Sequence, residues 1–257
     1  MLVATACQSL YRGPLTFGGA AWERGSRAIA LILVVVSLNF PRPSAGPRAV
    51  ITDWGGVFTR PISELVRAWA DADQVDWDTY VAAIRPWLTV AYAPDGDANP
   101  VHALERGECT VAEFERLLAA RLVRTDGKSV PADGLLSRML SASVPDPAMY
   151  QLIRDLRARG VRTALLSNSW GSGGYPREDF PDLFDAVVIS GEVGMRKPEP
   201  RIFHHAAQLL DSVPAECVFV DDLEANVRAA VGCGMTGVHH TEPAYTQQRL
   251  TELFAAR

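Results

Sequence analysis

The chain has 257 residues, 48% of them apolar, and its 25 basic and 30 acidic side chains give a formal net charge of −5. This is the composition of an ordinary globular protein, long enough for one full core or a core with an insertion. There is no basic excess to attract nucleic acid. The four scattered cysteines (Cys7, Cys109, Cys217, Cys233) contain no CxxC pair, which argues against a structural zinc or a disulfide framework.

Residues 1–47 read as an extension outside the fold, unstructured or lying upstream of the true start. They carry Arg12, Arg24 and Arg27 and then the apolar run Ala28–Leu38. That run is short of the ~20 residues of a membrane span. Its basic flank and Ser44-Ala45-Gly46 resemble a signal peptide, but the run sits far from Met1 and the first core strand follows at once. The expected location is therefore cytoplasmic, with export the alternative if the 28–38 run is a signal segment, and no stable membrane association is expected.

The core begins with a strand over Arg48–Asp53. From 61 to 145 the pattern is helical, with no clear β-run. Ile62, Leu65, Val66 and Trp69 form an apolar stripe over Ile62–Ala72, and Tyr80, Val81, Ile84 and Trp87 another over Trp77–Trp87. Thr110 caps a helix over Val111–Leu122, with Glu113 placed as in a capping box. After Pro147 the pattern alternates. A helix over Pro147–Arg159 stops at Gly160, and strands follow over Arg162–Leu166 and Ala186–Ser190. A helix over Arg201–Leu210 precedes a strand over Cys217–Val220. A helix over Leu223–Val231, a strand over Thr236–His239 and a helix near Tyr245–Ala255 complete the chain. This alternation implies an α/β fold: a three-layer, doubly wound parallel sheet with right-handed crossovers and an inserted all-helical region.

Four stretches carry chemistry. Ala49-Val50-Ile51-Thr52-Asp53-Trp54-Gly55-Gly56 is an apolar strand that delivers a carboxylate to the carboxyl edge of a sheet, where open α/β proteins bind ligands. Leu165-Leu166-Ser167-Asn168 ends a second strand in a hydroxyl and an amide, able with the following main-chain amides to hold phosphate oxygens. Gly194-Met195-Arg196-Lys197-Pro198 places a lysine in a Pro-stiffened loop. Val218-Phe219-Val220-Asp221-Asp222 ends a strand in paired acids. A nucleophilic carboxylate, a hydroxyl, a cation and a metal-binding acid pair together suit phosphoryl transfer.

From about Arg48 onward, these four motifs in this order resemble the haloacid dehalogenase-like (HAD) hydrolase superfamily, in the subgroup with a helical cap between the first two core strands. The resemblance implies a core of residues 48–60 and 146–257 and a cap of residues 61–145. It implies Asp53 as the nucleophile that forms an aspartyl-phosphate, and Ser167, Asn168 and Lys197 as phosphate ligands. It also implies Mg²⁺ held by Asp53, the Gly55 carbonyl and Asp222, with Asp221 in support, and a small phosphorylated metabolite as substrate. Most phosphatases of this superfamily carry an aspartate where this chain has Gly55. General acid–base help is worth ~10²–10⁴ in rate, so a slow phosphomonoesterase is expected. A dehalogenase, or a weakly catalytic phosphate-binding regulatory protein, is the alternative.

Other side chains have plainer readings. Arg196 points to solvent or pairs with an acid. Asn226 either orients an acid or lies on a helix surface. His204-His205 and His239-His240 do not converge on one ion. Trp69, Trp77 and Trp87 pack. The loop Trp170–Tyr175 lies at the same sheet edge, where it contacts substrate or is simply flexible.

Overall fold

Three consecutive apolar residues and a threonine, all buried, make the first strand, β1 (Ala49–Thr52). In a computed structural model that describes residues 46–90, 99–171 and 174–255, β1 is the centre of a five-stranded parallel sheet. The expected extension lies outside the described residues, apart from Gly46 and Pro47. The other strands are β2 (Arg162–Ser167), β3 (Ala186–Ile189), β4 (Cys217–Asp221) and β5 (Thr236–His239), in the order β3-β2-β1-β4-β5. Ile51 stands between Ala164 of β2 and Phe219 of β4.

The near-continuous apolar runs of β1, β2 and β4 reflect burial on both faces. Val50, Leu165 and Val218 face one layer with Met149, Ile153 and Leu250. These belong to helices running Pro147–Ala158 and Pro243–Phe254. Ile51, Leu166 and Phe219 face the other layer with Ile202, Phe203 and Ala230, from helices over Pro200–Leu209 and Glu224–Gly232. The strand order reverses between β1 and β4, and the crevice beyond their carboxyl ends is the topological switch point of such a sheet.

Between β1 and the helix Pro147–Ala158 that leads into β2, the described residues form five helices: α1 (Ile62–Ala72), α2 (Trp77–Val90), α3 (Pro100–Glu105), α4 (Val111–Ala119) and α5 (Leu135–Leu140). They enclose an apolar cluster of their own that includes Val66, Trp69, Phe114, Leu118, Leu135 and Met139. The segment leaves and rejoins the sheet at one place, where Thr59 bridges Pro145 and the Asp146 amide donates to the Phe58 carbonyl. α1 buries Leu65, Val66 and Trp69 of its expected stripe, whereas Ile62 at its start stays exposed. α4 starts with the reciprocal Thr110–Glu113 capping box but ends three residues before the expected Leu122, its chain tightening into turns at Arg121 and Leu122. α3 and α5 are six residues each, too short to present the repeated apolar spacing that marks a helix. Asn99 caps α3 through its side chain, with Pro100 at the first position. Among the described residues, no helix is long and apolar enough to cross a membrane.

Candidate active site

The ladder between β1 and β4 continues one residue past β1, where the Asp53 amide donates to the Val220 carbonyl. This fixes Asp53 at the sheet edge, 8% exposed. The chain then turns through Gly56 with φ +75, and a Cβ there would lie 2.2 Å from Asp222 Oδ2. Only glycine lets the two loops approach so closely.

Lys197 joins the acidic groups. It is 1% exposed, and its Nζ lies 2.8 Å from Asp53 Oδ1 and 2.6 Å from Asp221 Oδ2. Its main chain is held from both sides by Asn168: the Lys197 amide donates to Asn168 Oδ1 at 2.8 Å, and Asn168 Nδ2 donates to the Lys197 carbonyl at 3.0 Å. Asp221, fully buried, accepts from the Leu223 amide and from Asn226 Nδ2 as well. Asn226 therefore orients an acid, and its own Oδ1 is buried without a hydrogen-bond partner. Ser167 Oγ pairs with the Tyr175 hydroxyl at 2.9 Å.

Asp53, Asp221 and half-buried Asp222 each offer a carboxylate oxygen within 4.8 Å of the others. Three carboxylates against one ammonium leave negative charge in excess where water is largely excluded, which is costly. Burial pushes the Asp53 carboxyl up to about 7; Lys197 pulls against this, while Asp221 and Asp222 add to it. Burial, reinforced by Asp221, likewise raises Asp222 to about 6. Burial alone would discharge Lys197, yet Asp221 and Asp53 hold its ammonium above lysine's ordinary range. A converging all-oxygen donor set with unbalanced negative charge is what a hard divalent cation such as Mg²⁺ requires.

Asp53, Ser167, Asn168, Lys197, Asp222 and Gly55 all line one cavity of about 440 Å³. The sheet forms its floor. Its walls include Ile62, Val66, Tyr80 and Ile84 from α1 and α2, with Trp170 and Tyr175 from the loop after β2.

Several features of this site carry no sequence signal. Arg196 is indeed paired with an acid, but deep in the protein: it is 4% exposed and its Nε donates to Glu105, the last residue of α3. Trp170 Nε1 reaches the same carboxylate at 3.4 Å, and Arg106 pairs with Glu199 at 3.1 Å. α3 is thus tied to the loop that carries Lys197. A Cβ at Gly55 would meet Ile62 Cδ1 at 3.1 Å, so α1 occupies the space beside the glycine. Of the histidines, His239 Nε2 lies 2.9 Å from the Asp222 carbonyl and His240 pairs with Thr246. Trp69 packs within the helical cluster, whereas Trp77 also lines the cavity.

The pattern of the haloacid dehalogenase-like hydrolase family matches residues 47–234. The chain belongs to that hydrolase family. It is 33% identical over 218 residues to acyl-CoA dehydrogenase family member 10 of Mus musculus, a match covering 80% of this chain and 19% of that protein. It is 36% identical over 118 residues to the sesquiterpene phosphatase astK of Aspergillus oryzae, covering 42% of this chain and 57% of the relative. The chain thus spans less than two thirds of the length of these relatives. Among solved structures, the fold is shared with the HAD family enzyme bt-2542 of Bacteroides thetaiotaomicron, crystallised with magnesium and inorganic phosphate. That likeness has a TM-score of 0.51 at 23% identity and covers 76% of this chain and 94% of the other.

Proposed function

We propose that the protein is a Mg²⁺-dependent phosphomonoester hydrolase working through an aspartyl-phosphate on Asp53. The observation that carries this reading is the Asp53–Lys197–Asp221 chain of contacts at the cavity floor, with Asp222 beside it. Asp53 is the nucleophile. Its carboxylate forms a bond to phosphorus as the ester P–O bond breaks, and water then attacks phosphorus to release phosphate and restore the carboxylate. Lys197 neutralises phosphate charge and holds Asp53 in line. Ser167 binds a phosphate oxygen. Asn168 fixes the Lys197 peptide with its side chain, so its phosphate contact falls to its main-chain amide.

Asp53, Asp222 and the Gly55 carbonyl would hold Mg²⁺, with Asp221 oriented behind them. The ion, when bound, neutralises charge on the phosphate oxygens. Gly55 provides no side-chain acid, so the departing alkoxide takes its proton from water. Residues 61–145 act as the cap that limits water over the core of 48–60 and 146–257. The resemblance to a phosphatase over part of the chain supports the reaction. A metal-independent dehalogenase would use Asp53 as nucleophile and Asp221 to hold Lys197, and would leave Asp222 beside them without a role.

The test is phosphate release from an aryl phosphate with Mg²⁺ or with chelator. Turnover should require Mg²⁺ and vanish in Asp53→Asn. Release unaffected by that substitution would overturn the proposal.

A further inference from the structure

Above the charged floor, the cavity changes character. Trp54, Val66, Tyr80 and Ile84 line it and are each less than a tenth exposed. Ile62 and Leu88 stand further out, 37% and 42% exposed. The polar groups on the helical side are the hydroxyls of Ser63, Ser143 and Tyr80, the Trp77 indole, and Glu105, whose carboxylate is already held by Arg196 and Trp170. Among the described residues, Lys197 carries the one positive side chain that lines the cavity, and it is already shared between Asp53 and Asp221.

These facts constrain the guest. A sugar phosphate would bury several hydroxyls against hydrocarbon, and each unpaired one costs binding energy. A diphosphate or nucleotide would place a second charged group where no second cation lines the wall. An alkyl or isoprenoid-like chain meets neither obstacle and gains from every methylene removed from water. The volume of about 440 Å³ lies within the range of small-molecule sites. Resting on the phosphatase reading above, we infer that the substrate is the monophosphate ester of an apolar alcohol, its hydrocarbon part housed against α1 and α2. Hydrolysis breaks the ester P–O bond, places the oxygen of water on phosphorus and returns the proton to the alcohol, so the products are an apolar alcohol and inorganic phosphate.

The test uses the full chain with Mg²⁺ and two arms. In the turnover arm, kcat/KM is measured for ethyl, butyl, hexyl, octyl and decyl phosphate, for a hexose phosphate and for an aryl phosphate. We expect a rise of roughly twofold to fourfold per added methylene until the cavity fills, with hexyl phosphate favoured over the hexose phosphate by at least about tenfold. A flat or falling series, or preference for the hexose phosphate, overturns the inference while aryl turnover leaves the phosphatase reading standing. In the binding arm, alkylphosphonates of the same lengths are added below their micelle concentrations and Tm is recorded. A shift that grows with chain length supports the inference even if no ester is hydrolysed, a result that would sink only the phosphatase reading; equal shifts for all lengths overturn it. Leu88→Glu, at a partly exposed wall position, should flatten both series at the long end.

Discussion

The sheet edge and the helical segment that faces it are held together by different physics. At the edge, side chains are fixed by named polar contacts: Lys197 to two aspartates, Asn168 to the Lys197 peptide, Asn226 to Asp221. In the helical segment, Phe114, Leu118 and Met139 are placed by apolar packing. A polar network fails when one member is removed, because its partners stay buried and unpaired. An apolar cluster tolerates volume-conserving exchange and fails gradually. The floor is therefore suited to one fixed chemistry and the wall to an adjustable choice of substrate.

This contrast can be broken at the floor first. Lys197→Met removes the ammonium shared by Asp53 and Asp221, and we expect hydrolysis to fall by about 10²–10³ or more. The two acids are left facing each other, and breaking a buried ion pair costs about 3–5 kcal/mol; urea unfolding measures this beside the kinetics. On the other side, Phe114→Ala should cost about 3–5 kcal/mol through the cavity it leaves. Its loss should appear in the helical segment, with amide exchange faster in α4 and α5 and little changed in β1 and β4. Uniform acceleration would show that the two regions unfold as one.

A third substitution tests the seam. Asp at position 55 would restore the missing acid, but Ile62 crowds the site. We expect Gly55→Asp alone to gain little, and Gly55→Asp with Ile62→Ala to raise alkyl phosphate hydrolysis well above aryl, within the ~10²–10⁴ range of general acid help. Equal gains for both esters would mean that the new carboxylate is not donating a proton.

The smallest effect concerns pH. Asp53 and Asp222 titrate near 7 and 6, above the ordinary 3.8, because of burial and neighbouring acids. A folded-state pKa above the unfolded one favours the protonated fold, so this stability is complete in acid and lost as pH rises through about 6 to 7. Metal-free protein should therefore lose thermal stability between about pH 5 and pH 8. Mg²⁺ should restore it, with the larger Tm gain at the higher pH. Equal gains at both ends would place the ion elsewhere.

The floor was legible in the sequence because a buried parallel strand writes itself as an unbroken apolar run, and its last residue is then forced to the ligand edge. Asp53, Ser167 and the Asp221–Asp222 pair follow from that rule. Lys197 was legible through its Pro-flanked loop and the order of the motifs. The links across the seam were not. Glu105 reads as part of a helix stop, and nothing in its neighbourhood indicates that it meets Arg196, 91 positions away. Ile62 reads as one more apolar position of α1; that it fills the space beside Gly55 depends on how α1 docks. Asn168 was assigned to phosphate on its position after Ser167, whereas its side chain is committed to the Lys197 peptide, a tertiary pairing that local pattern does not encode.

Trp170 sits on that seam, its indole edge against Phe114 with centroids 5.8 Å apart and its N–H toward Glu105. Indole emission responds to polarity and to nearby charge, so the protein carries an optical reporter at the joint between its two regions. Subtracting the spectrum of Trp170→Phe isolates that signal from the other tryptophans. Mixing with an unreactive phosphonate in a stopped-flow instrument then times any parting of α4 from the loop after β2, with no label added.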